Sequence, residues 1–124
     1  MLGLLCMLVA AASATAKPRQ RFFQTAGGVV DCELDDGGSA GLGIDAYCQT
    51  VQPARSVTLS AAGKVLTCTG QSCIGNAPDN VQTLKAGSAV VLGPFSCTVK
   101  AASVTCKSSS GGGFSISRTG VKRL

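Results

Sequence analysis

Cysteine has the widest chemistry open to it in this chain, and spacing decides which chemistry applies. Cys32, Cys48, Cys68, Cys73, Cys97 and Cys106 follow Cys6, which sits inside an apolar leader. Zinc ribbons use paired C-x2-C knuckles. Here the short spacings are C-x4-C, from Cys68 to Cys73, and C-x8-C, from Cys97 to Cys106, and there is no histidine. Dithiol redox centres rest on C-x-x-C, which is also missing. The remaining reading is a staple: once Cys6 leaves with the leader, six cysteines are expected to form three disulfides. Of the fifteen pairings six cysteines allow, the spacings favour the sequential one: Cys32 with Cys48, Cys68 with Cys73, and Cys97 with Cys106. The first closes the longest loop, worth roughly 3 kcal/mol in the chain-entropy model, and the second closes the shortest.

Two further constellations carry reactive groups. In "DCELDDGG", Asp31, Glu33 and Asp35 alternate, so on a strand their carboxylates share a face, with Asp36-Gly37 starting a turn. Calcium takes clustered oxygens of this kind, but the twelve-residue loop and distal glutamate of an EF-hand are missing. Paired carboxylates also cleave glycosidic bonds, yet no aromatic platform for a sugar accompanies them. The plain reading is a solvated strand face. "SSSGGGFSIS" supplies hydroxyls at Ser108 to Ser110, Ser115 and Ser117, without a histidine base or a recognisable Ser-Lys arrangement. No Lys-Ser/Thr follows Gly111 to Gly113, so they do not make a phosphate loop. They read as a turn into a last strand with Phe114 and Ile116 inward and Ser115 and Ser117 outward. No cofactor and no catalytic residue is expected.

The elements that must hold these residues are strands. "VTLSAAGKVLTC" reads as a hairpin, with Val57 and Leu59 on one face, a turn around Gly63, then Val65 and Thr67. "AVVLGPFSCTV" reads as a buried apolar run, Val90 to Leu92, a break at Gly93-Pro94, and the strand of Cys97. If Cys97 opposes Cys106, then Thr98 meets Thr105, Val99 meets Val104, and "KAAS" is a four-residue turn, placing the cysteines within disulfide reach. The best helical stretch, "NAPDNVQTLKAG", has Pro78 for a first turn and Gly87 for an end, but its apolar periodicity is weak, so a turn is the alternative. Glycine breaks at Gly27-Gly28, Gly37-Gly38, Gly41-Gly43 and Gly111-Gly113 separate β-like runs. The expected fold is all-β: a small disulfide-stapled β-sandwich or partly open barrel built from hairpins.

The chain has 124 residues, and its only aromatics after the leader are Phe22, Phe23, Tyr47, Phe95 and Phe114. A core so lean calls for covalent help. "MLGLLCMLVAAASATA" carries no charge before Lys17 and ends in small residues, as a secretory leader does, although a basic start is missing. Residues 1–16 are expected as a signal peptide, cut after Ala16 in preference to Ala14, and residues 17–124 as one disulfide-rich β domain. The run is short for an uncleaved membrane anchor, and Leu5 before Cys6 argues against lipidation.

"FQTAGGVVDC" (23–32), "FSCTVKAASVTC" (95–106) and "GGGFSISR" (111–118) together resemble a family of small secreted domains common in actinobacteria, with the pattern F-x-T-P-S-G-N-I-x-C, then C-x-S…G-V-x-C, then G-H-G-F-x-L-S-R. Phe23, Thr25, Gly28, Cys32, Val104, Cys106, Gly111, Gly113, Phe114, Ser117 and Arg118 match that pattern. Ala26, Gly27, Val29 and Gly112 stand where the family has Pro, Ser, Asn and His, which removes polar groups that a ligand site could use. The resemblance implies export and fold rather than an activity.

The net charge is +5, with basic residues grouped as "KPRQR" and "RTGVKRL". Export and the lack of interleaved aromatics argue against nucleic acid. Solvated tails are the default reading of these ends, and the partner is left open, with an anionic envelope polymer or another extracellular protein, met through Arg118, Lys122 and Arg123, as the candidates. Arg118 is either a ligand contact or the partner in an ion pair that closes a strand. The sequence therefore points to an exported non-catalytic binding or interaction module at the cell envelope or outside it, with no membrane span after cleavage. The alternatives are an enzyme or enzyme inhibitor with a loop-built site, and a purely structural envelope protein.

Overall fold

Nearly every strand pairs with its neighbour in sequence, so the architecture is two meanders laid face to face. The computed structural model of the protein describes residues 19–38, 43–79 and 81–124. The expected signal segment, with Cys6 and both candidate cleavage positions, lies outside them, as does Gly41 of one glycine break. Strands β1 (Gln20–Gln24), β2 (Asp31–Asp36), β3 (Ile44–Val51), β4 (Ala54–Ser60), β5 (Val65–Thr69) and the two-residue β6 (Gln82–Thr83) form one sheet in the order β5-β4-β3-β2-β1-β6. Strands β7 (Ala89–Leu92), β8 (Phe95–Val99), β9 (Val104–Ser108), β10 (Gly113–Ser117) and β11 (Gly120–Arg123) form the second, in the order β11-β10-β9-β8-β7. All pairings are antiparallel except β1 with β6. The result is an open β-sandwich without barrel closure.

Strand alternation supplies the core. Phe23, Cys32, Leu34, Ala46, Cys48, Val57 and Leu59 point inward from the first sheet, and Val90, Leu92, Phe95, Cys97, Val99, Val104, Cys106, Phe114 and Ile116 meet them from the second. Each sheet carries one staple on this inner face. Cys32 opposes Cys48 on β2 and β3, Cys97 opposes Cys106 on β8 and β9, and the Cα atoms of each pair lie 4.1 Å apart. The third disulfide joins Cys68 at the end of β5 to Cys73. In the second hairpin Thr98 opposes Thr105 and Val99 opposes Val104, and Lys100 N donates to Ser103 O across the turn.

Three sequence expectations need correcting. Val90 to Leu92 is not a continuous buried run: Val90 and Leu92 face the core, while Val91 is 66% exposed, because it stands on the solvated outer face of the second sheet. "NAPDNVQTLKAG" makes no helix in its described residues; it is extended chain, the short β6 and a turn. The C-terminal basic stretch is no tail, since Gly120–Arg123 is β11, hydrogen-bonded to β10, which is therefore not the last strand.

At one end of the sandwich the sheets touch through turns. Gly63, between β4 and β5, and Gly112, between β9 and β10, both have positive φ, and a Cβ on either would strike the backbone of the other turn. Ser108 Oγ donates to Ala61 O at 2.6 Å across the same junction. Backbone can approach this closely only where no side chain intervenes.

Candidate functional site

While Ser115 and Ser117 lie on the five-stranded sheet, the carboxylates singled out for chemistry fall on the outer face of the six-stranded one. Asp31, Glu33 and Asp35 share that face of β2, and the register brings Asp45, Tyr47 and Gln49 of β3 beside them. Two neighbouring rows matter most. In one, Phe22, Glu33, Tyr47 and Thr58 stand side by side; in the next are Gln24, Asp31, Gln49 and Ser56. Directly opposed residues in such rows lie about 4.5–5.5 Å apart. The expected solvated face is therefore half-buried in fact, and Asp35 is only 5% exposed.

A strap covers part of this face. After β5 the chain makes a single 3-10 turn at Gln71–Cys73, fixed to β5 by the Cys68–Cys73 bond, and then crosses the sheet to its far edge, where β6 pairs with β1. Gln49 docks it. Its Nε2 donates to Gly75 O at 2.7 Å, and its Oε1 accepts from Gly75 N at 2.9 Å. The Tyr47 hydroxyl lies 2.7 Å from Gln49 Oε1 and 2.9 Å from Cys73 O, and can donate to either. Between strap and sheet is a cleft of about 240 Å³, floored by Phe22, Asp31, Glu33 and Tyr47 and bounded by Gly75 to Pro78 and Val81.

Partial burial sets the electrostatics here. The Asp31 carboxyl is pushed above the ordinary aspartate range by desolvation, which the Gln49 side chain partly offsets. Glu33 is raised by desolvation and then by the charges of Asp35 and Asp45, against one hydrogen bond from Gln20 Nε2 at 3.1 Å. Asp45 is raised by desolvation and by Asp35. Burial also raises the Tyr47 phenol. Asp31 Oδ1 and Asp35 Oδ1 are buried without a hydrogen-bond partner. Among the described residues, no group of three or more Cys, Asp or Glu is placed to hold a metal ion.

The three basic residues named from sequence do not converge. Arg118 is exposed in the β10–β11 turn, Lys122 opposes Ser115 on the outer face of the five-stranded sheet, and Arg123 opposes Phe114 on the other face. Lys122 does border a shallow groove with Ser103, Ser115, Ser117 and Thr119. Sequence reasoning missed the strap, Gln49 and Arg55. The Arg55 guanidinium sits against Gly120, the first residue of β11 after the turn that carries Arg118. The resembled motifs turn out to occupy structural positions. Phe23 and Phe114 are core residues; Thr25 Oγ1 accepts from Val30 N at 3.1 Å to close the β1–β2 turn; Gly28 and Gly111 have positive φ. No protein-family model, curated protein or solved structure matches the chain.

Proposed function

We propose that this chain is an exported, non-catalytic binding module of the cell envelope or extracellular space, a member of the secreted actinobacterial-type family its motifs resemble, and that it binds in the cleft beneath the strap. The observation that carries this reading is how the cleft is built. A disulfide fixes the root of the strap, a side-chain amide holds its middle on both backbone groups of Gly75, and pairing with β1 fixes its far end. A segment serving only to join two sheets could run over either edge; this one roofs a lined cavity. Concave, partly apolar sites with a few fixed polar groups are the usual form of a binding site. Three disulfides fit an oxidising compartment, which agrees with export.

The test is an amide ¹H–¹⁵N titration with three probes of similar size and different charge, n-butylammonium, n-butanol and butyrate, and one bulkier neutral probe, N-acetylglucosamine. At least one is expected to give saturable shifts confined to Phe22, β2, β3, Gly75 to Ala77 and Val81. If none does, the reading fails. A second reading is favoured by the groove beside Lys122, where hydroxyls and the nearby Arg55 and Arg118 suit an anionic envelope polymer. Retention on an anionic polysaccharide column at low salt, lost in Lys122→Ala with Arg118→Ala, supports it; retention unchanged in that variant rejects it.

A further inference from the structure

The cleft's lining selects among ligand charges, and its size limits what can enter. At about 240 Å³ it lies below the ~300–1,000 Å³ of sites that enclose drug-sized molecules, so it suits a single side-chain-sized group. Glu33 stands between the rings of Phe22 and Tyr47 in one row, and Asp31 stands beside Gln49 in the next. Two residues apart on β2, the carboxylates are separated by about 7 Å at the backbone. Their compensation is incomplete. Glu33 Oε1 takes one hydrogen bond from Gln20, and Asp31 Oδ1 has no partner. No lysine or arginine is among the described residues that line the cleft. An anion placed there would meet two like charges, and a neutral polyol would leave the pair uncompensated. A cation with an apolar stem satisfies both parts of the lining, because aromatic faces attract cations and cover methylenes.

We propose that the cleft binds a primary alkylammonium group, its charge held between Asp31 and Glu33 and its methylene stem against Phe22 and Tyr47. This rests on the cleft being the binding site. A lysine side chain of an extracellular polypeptide and a free alkylamine share this chemistry, and capped lysine, Nα-acetyl-lysine-N-methylamide, separates the two sources when set beside n-butylammonium. The overall positive charge of the chain does not oppose the assignment, since Asp31, Glu33, Asp35 and Asp45 gather on this one face.

The experiment is the same amide titration at fixed ionic strength and neutral pH. n-Butylammonium is expected to shift the amides of Glu33, Tyr47, Gly75 and Asn76 saturably in the millimolar range, at least about tenfold more tightly than n-butanol or butyrate. Asp31→Asn with Glu33→Gln is expected to lose that preference while keeping its dispersed spectrum and a thermal midpoint at least as high, because the double variant removes charges that burial disfavours. Capped lysine binding as n-butylammonium does identifies a polypeptide source; n-butylammonium binding alone identifies a free amine. A probe other than n-butylammonium binding best overturns the ligand class and leaves the cleft a binding site. All four probes failing overturns both. Unchanged n-butylammonium affinity in the double variant overturns the assignment of the charge to these two carboxylates.

Discussion

The two sheets are alike inside and different outside. Each has a buried cystine joining adjacent strands with the same 4.1 Å Cα separation, and each turns an alternating apolar face to the other. Outside, the five-stranded sheet presents a plain row, Ala89, Thr98, Thr105, Ser115 and Lys122, linked by a Thr105–Ser115 hydroxyl contact at 3.2 Å. The six-stranded sheet instead carries stacked carboxylates and aromatics under a strap. An identical building plan thus yields one face that meets the minimum a solvated strand requires and one that bears buried charge. Charge is costly to desolvate, and two of these carboxylates, Asp31 and Glu33, lie where chain has been brought across the sheet.

That contrast can be broken in graded ways. The largest effect is expected inside, where the sheets are equivalent: Phe23→Ala from the first and Phe114→Ala from the second should each lose about 3–5 kcal/mol in urea unfolding, and a clear difference would show one inner face to be the weaker partner. Replacing Cys32 and Cys48 by Ala, or Cys97 and Cys106, should each remove roughly 3 kcal/mol by loop entropy, against about 2 kcal/mol for Cys68 with Cys73, whose loop is shortest and largely exposed. Gln49→Ala should cost about 1–3 kcal/mol and release the Gly75 amide to hydrogen exchange, whereas Thr105→Ala on the bare face should stay within about 0.5 kcal/mol.

The smallest effect concerns pH. Because burial raises Asp31, Glu33 and Asp45, the folded protein holds these protons more tightly than the unfolded chain does. Their contribution is full below the ordinary values of 3.8 for aspartate and 4.5 for glutamate, and it is lost as pH rises through the raised ones. Asp45→Asn should therefore stabilise the protein at pH 7, by up to about 1 kcal/mol after solvent screening, and give no gain at pH 3, as thermal melts at the two pH values would show.

Local patterns were legible in the sequence because nearly all the pairing is local. Strand β8, the "KAAS" turn and β9 could be placed residue by residue from two cysteines and an alternating run. The sandwich with its three disulfides followed from the same hairpin logic. The strap could not be read, because tertiary contacts hold it in place: "IGNAPDN" has no periodicity, and the Gln49 amide that anchors it is 26 residues from Gly75. Burial of the Asp31–Asp35 face was missed for the same reason, since a strand pattern names which residues share a face but not what lies over it. Val91 failed differently. An uninterrupted apolar triplet looks buried on both sides, and only the solvated outer face of the second sheet, which Val91 shares with Ser96 and Lys107, exposes its middle residue.

The junction of Gly63 and Gly112 makes two distant positions into a single inherited character. Each leaves room for the other's backbone, so neither can acquire a side chain until the opposing turn retreats. The resembled pattern has histidine at the position of Gly112, and a chain with that residue must hold its β4–β5 turn farther away. Substitutions at 63 and 112 are therefore expected to be coupled, since a side chain at either position needs the opposing turn to move.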